Sequence, residues 1–330
     1  MTAKGRYTVG VDLGATKIFS LAALPDGREA GSDRRPTLAD QGPQAVIGHI
    51  VDSVRAALAA AGAAEADLAA VGVAAPGPVD RERGVVRNPP NLPGWSAVPV
   101  AQILRDALGA PVALENDADA AALGEHTFGA GRDFRNMIFI TLSSGIGGGM
   151  ILDGRLYRGA TGAAGEVGHM VVNEAGPLCG CGQRGCLEAL ASGTAIAARA
   201  AALAAEGKSP LLARLARESP PLTAEDVQRA ALEGDAVAQR VIEEAGHYLG
   251  LGLVNLVHVF NPHGIVIGGG VSHMGDLILE PAREVVRQRC FPLSQEGLSI
   301  VAGVLGDRAG ALGAIVALGE TRGDKGVGMS

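Results

Sequence analysis

Residues 7–23 read YTVGVDLGATKIFSLAA. The opening segment, YTVGVDL, is a β-branched strand that stops at Gly14, and Ile18 to Ala23 has the apolar character of its antiparallel return. DLGATK is then a tight glycine turn inside a hairpin. The pattern recurs at residues 136–152, NMIFITLSSGIGGGMIL, as a strand to Leu142, a turn SSGIGGG and a return from Met150 to Leu152. The recurrence reads as an internal duplication and predicts two related domains with a cleft between them.

Outward from the first hairpin, the segment around DGREAGSDRRP reads as a loop. Residues 43–61 then place Val46, Ile50, Val54 and Leu58 at fourfold spacing, the apolar stripe of a helix. Leu68 to Ala74 is the next strand and ends in the turn APGPVD, while RNPPNLPGW holds too many prolines for helix or strand. A helix over Pro99 to Leu108 leads to the strand PVAL at 111–114. There ENDADAAALGEHTFG opens a helix that Asn116 or Asp117 could cap. Beyond the second hairpin, Leu187 to Ala205 reads as one Ala-rich helix, and TAED at 223–226 resembles a capping box with Asp in place of Glu. A long helix over 235–260 is closed by Asn261 and Pro262. The strand GIVIGGG (264–270), a helix over 276–289, a strand near 298–304 and a helix from 308 to 319 follow. The tail TRGDKGVGMS has no periodic signal. Alternating strands and helices predict an α/β architecture whose ligands sit at the carboxyl ends of strands, where each glycine turn falls.

Composition narrows the function classes. The chain has 330 residues, 47% of them hydrophobic and 19% charged, enough for two folded domains with a large core. A net charge of −7 with no run of Lys or Arg disfavours nucleic acid as the main ligand. The short polar start MTAKGRYTVG offers no signal-peptide core, and no apolar run is long enough to span a bilayer. The expected location is cytoplasmic, where thiols stay reduced.

Three of the four cysteines stand with one histidine in residues 166–188, EVGHMVVNEAGPLCGCGQRGCLE. His169, Cys179, Cys181 and Cys186 have the spacing H-x9-C-x-C-x4-C, one imidazole and three thiolates that suit a tetrahedral, structural Zn2+. Disulfides are the weaker reading, because Cys179 and Cys181 are too close to bridge easily. A Cys-His nucleophile pair does not need three thiols. Cys290, remote in sequence, reads as an ordinary thiol. Glu166 and Glu188 bracket the cluster, so a metal would also fix where they point.

The turns DLGATK, SSGIGGG and GGGV offer unobstructed backbone N–H groups to phosphates. None matches the Walker or dinucleotide patterns. Asp12 is placed to hold Mg2+ directly or through water, and Lys17 either faces a phosphate or is a solvated turn residue. Asp117 is placed either to accept a hydroxyl proton during phosphoryl transfer or to cap its helix. Gly77, Asn91, Asn116, Glu166, His169 and Glu188 supply the polar groups that would bind several hydroxyls of one sugar.

DLGATK, LEND with its Ala-rich helix, SSGIGGG, EVGH and CGCGQRGCLEALASG, in this order, resemble the ROK family (repressors, open reading frames and sugar kinases), and its bacterial glucokinases in particular. The resemblance spans residues 7–320. It implies an α/β, actin-like ATPase fold of the hexokinase type, ribonuclease H-like, with two domains around a cleft. Residues 1–115 plus 305–330 would form the small domain and 116–304 the large one with the zinc knuckle. It implies Asp117 as general base toward the sugar 6-hydroxyl, with Gly77, Asn91, Asn116, Glu166, His169 and Glu188 at the sugar. Asp12, Gly14, Ala15, Thr16, Lys17, Ser144, Gly145, Gly147, Gly269 and Gly270 fall on the nucleotide side, and His169, Cys179, Cys181 and Cys186 match the zinc ligands. Two positions depart from the family pattern: Ser143-Ser144 stands where Gly-Thr is commoner, and Asp119 replaces a frequent Asn.

The expected activity is transfer of phosphate from Mg-ATP to the 6-hydroxyl of glucose, in a homodimer or homotetramer. Rival readings are a kinase for fructose, N-acetylmannosamine, N-acetylglucosamine or allose, a sugar-sensing repressor, and an inactive sugar-binding protein. The family's repressors carry an N-terminal winged-helix module, and only about six residues precede the first strand here.

Overall fold

The structure is a computed structural model that describes residues 6–25, 27–89 and 91–323. The chain divides into two compact units: Met1–Asp133 with Gly149–Ala164 and Leu305–Ser330, and Phe134–Gly148 with Gly165–Val304. Residues 116–133 and 149–164, expected with the larger domain, group with the N-terminal segment.

In the first unit, β1 (Tyr7–Leu13), β2 (Lys17–Ala23) and β3 (Glu29–Pro36) make an antiparallel meander. Then come α1 (Pro43–Ala60), β4 (Leu68–Ala75), a small hairpin of β5 (Val79–Asp80) and β6 (Val85–Val86), α2 (Val100–Leu108), β7 (Val112–Asn116) and α3 (Asp117–Phe128). In the second unit, β8 (Met137–Leu142) leads into β9 (Ile146–Leu152), whose later residues belong to the first unit and pair there with β10 (Arg155–Tyr157). The second unit resumes with α4 (Leu187–Ala191), α5 (Gly193–Ala205), α6 (Pro210–Glu218), α7 (Ala224–Leu232) and α8 (Ala236–Phe260). It ends with β11 (Gly264–Gly268), α9 (Asp276–Arg289), α10 (Pro292–Gln295) and β12 (Ser299–Ala302), and α11 (Arg308–Gly323) returns to the first unit.

The first sheet has the order β3-β2-β1-β4-β7, with β1, β4 and β7 parallel. Side chains alternate across a strand, and β1 shows what each face is for. Val9, Val11 and Leu13 are fully buried in one core with Val46, Ile50 and Val54 of α1. On the other face Gly10 and its register partner Gly72 leave a groove for the backbone of α11. A Cβ on Gly10 would lie 1.9 Å from the Ala311 carbonyl oxygen, and one on Gly72 2.0 Å from that of Ala314. Glycine at both sites lets the helix settle onto the sheet, and its first turn then meets Asp12 next along that face.

In the second unit β8, β11 and β12 are parallel. β8 is followed by a turn and β9 as β1 is followed by a turn and β2. It has the parallel neighbour β11 as β1 has β4. The duplication read from the two hairpins thus extends to strand order.

The elements depart from expectation in several places: the turn SSGIGGG is short, with its return strand β9 already begun at Ile146, and β10 and α6 lie where no element was expected. The DGREAGSDRRP loop contains β3, whose charged residues hide any alternation. The strand is held by backbone pairing to β2 and by Gly31, where a Cβ would come within 2.5 Å of the Ala61 nitrogen at the end of α1. The helix expected over Leu187 to Ala205 is broken at Ser192, whose hydroxyl caps α5 by accepting from Ala195 N–H at 3.2 Å. The Gly193 N–H meanwhile donates to the Ser143 carbonyl at 2.7 Å. The expected capping box at 223–226 is present, with Asp226 in the reciprocal position. Of the tail TRGDKGVGMS, residues 324–330 lie outside the described residues. Among the described residues no helix is long and apolar enough to cross a membrane.

Candidate functional site

In the first unit, the carboxyl ends of β1, β4 and β7 lie level: Asp12 pairs with Ala74, and Ala74 with Glu115. Strand spacing puts Asp12 roughly 10 Å from the start of α3. Asn116 caps α3, its Oδ1 accepting from the N–H groups of Ala118 at 2.9 Å and Asp119 at 3.2 Å. Its Nδ2 donates to the Gly77 carbonyl at 3.3 Å. Asp117, the first helical residue, accepts from the Ala118 N–H at 2.9 Å. Gly77 has φ +80°, and a Cβ there would press on Pro89, so the proline-rich loop that carries the exposed Asn91 packs on it. Gly77, Asn116 and Asp117 are therefore one hydrogen-bonded junction, with Asn91 on the adjoining loop. The cap predicted as Asn116 or Asp117 is Asn116, with Asp117 as the first residue of α3.

The turn after β1 is closed by the Gly14 N–H on the Lys17 carbonyl at 2.9 Å and by the Thr37 hydroxyl on the Gly14 carbonyl at 2.7 Å. Asp12 meets the first turn of α11, where a Cβ on Gly310 would lie 2.7 Å from its carboxyl carbon. Burial, then the neighbouring charge of Asp117, pushes the Asp12 carboxyl up to about 7, against the pull of Lys17. Lys17 is engaged: its Nζ lies 2.5 Å from Asp307, which also pairs with Arg34. The hydrogen bond from Lys17 holds the Asp307 carboxyl below its ordinary range. Sequence reasoning missed Asp307, because nothing local marks a residue 290 positions away as the partner of Lys17.

The second unit holds the His/Cys cluster. The short 3-10 turn Val167–His169 and the loop Cys179–Cys186 bring the four donor atoms within 4.8 Å of one another. His169 Nδ1 lies 3.7 Å from Cys179 Sγ, and Cys181 Sγ 3.6 Å from Cys186 Sγ. Tetrahedral zinc with Zn–S bonds of about 2.3 Å puts ligands roughly 3.8 Å apart, so the donors fit that ion. Burial, then the other two thiols, pushes Cys186 up to about 12, the crowding of sulfurs that a divalent cation relieves. Cys179 is raised by burial, whereas the Gln183 backbone N–H lowers Cys181. His169 Nε2 faces Glu166 Oε2 at 4.0 Å. Cys290 is buried and stands apart from the cluster.

Glu188 joins the cluster to the glycine turn. Its Oε1 is 3.9 Å from Cys179 Sγ, and its Oε2 accepts from the Ile146 N–H at 2.9 Å. A Cβ on Gly145 would lie 2.5 Å from that oxygen, so the glycine makes room for the acid. Beside the turn opens a cavity of about 580 Å3 contained in the second unit. Ser144 and Gly270 stand at one side, Ala197, Leu222 and Met274 give an apolar wall, and Gln228 adds an amide. That volume and this mostly apolar lining suit the nucleoside part of a nucleotide. Gly269, φ +87°, packs against the Leu142 backbone and carries the chain past the cavity. Sequence reasoning found the glycine turns but not the walls on α5 and α7, whose Ala-rich pattern is that of any packed helix.

The model of the ROK family matches residues 8–320. A glucokinase from Thermotoga maritima is 38% identical over 306 residues, 93% of this chain and 95% of that protein. A xylose repressor from Caldicellulosiruptor bescii is 33% identical over 93% of this chain, which covers 76% of it. The crystal structure of a ROK family glucokinase from Streptomyces griseus in complex with glucose and AMPPNP superposes with a TM-score of 0.82 at 35% identity, over 94% of this chain and 98% of that one. The actin-like ATPase architecture and the match over nearly the whole chain place the protein in the ROK family.

Proposed function

We propose that this chain is an ATP-dependent glucose kinase that forms glucose 6-phosphate. The observation that carries the reading is the end-to-end likeness to a glucokinase holding glucose and an ATP analogue. Asp117 supports it from the site: an aspartate held at a strand end, its helix capped by another residue. In the reaction Asp117 takes the proton from the sugar 6-hydroxyl as that oxygen bonds to the γ-phosphorus, and the bond to the β,γ-bridging oxygen breaks to release ADP. Gly77, Asn91, Asn116, Glu166, His169 and Glu188 bind the hexose. Its preference rests on the same hydroxyl contacts.

Asp12 and the Gly14, Ala15, Thr16 and Lys17 turn serve the phosphates, as do Ser144, Gly145 and Gly147. Gly269 and Gly270 flank the nucleoside in the cavity beside Ser144. Mg2+, when bound with ATP, offsets phosphate charge, and Asp12 is the carboxylate to hold it. His169, Cys179, Cys181 and Cys186 would hold structural zinc, and a metal on Nδ1 would leave His169 Nε2, which faces Glu166, to meet the sugar.

The test is a panel of phosphoryl transfers, with glucose, mannose, fructose and N-acetylated hexosamines as acceptors and ATP, ADP and polyphosphate as donors. The reading expects glucose with ATP to give the highest kcat/KM. A higher value for any other pair, or no transfer at all, overturns it.

A further inference from the structure

Beneath Asp117 the first unit contains a closed charge cluster that the proposed chemistry does not use. Glu115, 1% exposed, is the penultimate residue of β7, two before Asp117. Arg158, just past β10, donates to its Oε2 from Nε at 3.2 Å and from a terminal nitrogen at 2.7 Å. Arg81, in the β5–β6 turn, adds an ion pair to the same oxygen at 3.1 Å, its Nε making no hydrogen bond among the described residues. Glu115 Oε1 accepts from the Asn116 N–H at 3.2 Å. Two guanidiniums thus clamp the strand end that presents both the cap and the proposed base.

Asp119, within reach of the charges of this cluster, is 3% exposed, with Oδ1 buried and accepting no hydrogen bond among the described residues. An ionised carboxylate cannot leave such an oxygen unpaired without a large desolvation cost, whereas a carboxylic acid can. Nor can Asp119 retreat. A Cβ on Gly149 of β9 would come 3.1 Å from its Cα, so β9 sits against the helix backbone there. The charges that act on Asp119 are Glu115 from β7, Arg158 from after β10, Arg81 from the β5–β6 turn and Asp117 from its own helix. α11, packed on α3, brings uncharged Ala309 and Gly313 against Gly124 and Ala120.

We propose that Asp119 is a positioning residue that acts as a neutral, proton-bearing acid: protonated, it leaves both guanidiniums on Glu115, and ionised, it competes for them and loosens the junction that aims Asp117. Burial, then the charge of Glu115, pushes its carboxyl up to about 8, which keeps the proton in place at neutral pH. The inference rests on the reading of Asp117 as the base.

The test compares kcat/KM for glucose from pH 6 to 9.5 in the wild type and in Asp119→Asn. The wild type is expected to lose activity on an alkaline limb with its midpoint near 8 and a slope of about tenfold per pH unit. Asp119→Asn, neutral at every pH, is expected to stay within about threefold of the wild type at pH 7 and to lack that limb. An identical limb in both proteins, or no limb in the wild type, overturns the proposal. Should the variant fail to fold, 13C titration of labelled aspartate carboxyls in the Asp12→Asn background decides. One carboxyl titrating near 8 supports the proposal, and none above 6 overturns it. Failure of the base reading would show separately, as turnover retained by Asp117→Asn.

Discussion

Removing zinc should weaken glucose binding and leave the phosphoryl-transfer machinery intact. Cys181→Ser takes away one of four donors whose mutual distances suit a tetrahedral ion. His169 meets the cluster through Nδ1 and Glu166 through Nε2, so a bound metal would fix the ring from one side while an acid faces it from the other. Without the metal the ring regains its rotamers, and one oriented hydrogen bond to the sugar is lost. The bond is worth about 1 kcal/mol and reordering the side chain costs about 1 kcal/mol more. Together they raise KM for glucose roughly 30-fold, at 1.4 kcal/mol per tenfold. Glu188 shares the cluster with Cys179 and bonds the Ile146 N–H, so KM for ATP should rise more modestly. kcat should change little, because Asp117 accepts from the Ala118 N–H and follows Asn116, itself tied to the Gly77 carbonyl, all in the other unit. The assay is steady-state kinetics on preparations of measured zinc content, with and without zinc added back. A zinc-free enzyme with KM for glucose within threefold of the loaded one would refute the coupling.

Two further perturbations probe the first unit. Asp12 keeps its proton in the folded chain up to about 7, where the unfolded chain has lost it near 3.8. Stability should therefore fall from about pH 4 to 7 and level off above. Asp12→Asn should remove that fall, gaining at most about 4 kcal/mol at pH 8 while losing turnover, and a wild-type thermal midpoint flat across this range would contradict it. Gly72→Ala pushes a methyl group to 2.0 Å from the Ala314 carbonyl oxygen. The strain of about 1–3 kcal/mol should lower the thermal midpoint by several degrees, and an unchanged midpoint in calorimetry would mean that α11 does not seat on the glycine groove as described.

Much of this was legible in the sequence because the informative signals are local. The two hairpins, the glycine turns and the H-x9-C-x-C-x4-C spacing each sit within about twenty consecutive residues, where backbone geometry and ligand chemistry constrain residue type. β3 was illegible because an exposed, charged strand carries no alternation and owes its shape to pairing with β2. The break at Ser192 was hidden because a capping serine inside an Ala-rich run looks like any small helical residue. Contacts across long sequence separations were beyond local reading altogether. Lys17 on Asp307, the Arg81 and Arg158 clamp on Glu115, and the cavity walls on α5 and α7 exist only once the sheets have formed.

The most direct test of the proposed chemistry is Asp117→Asn, which keeps the shape of the side chain and removes its ability to take a proton. Calorimetric titration with glucose should give an affinity within a few-fold of the wild type, while kcat falls by about 10^2 to 10^4. Turnover near that of the wild type with sugar affinity intact would show that phosphoryl transfer here does not run through Asp117.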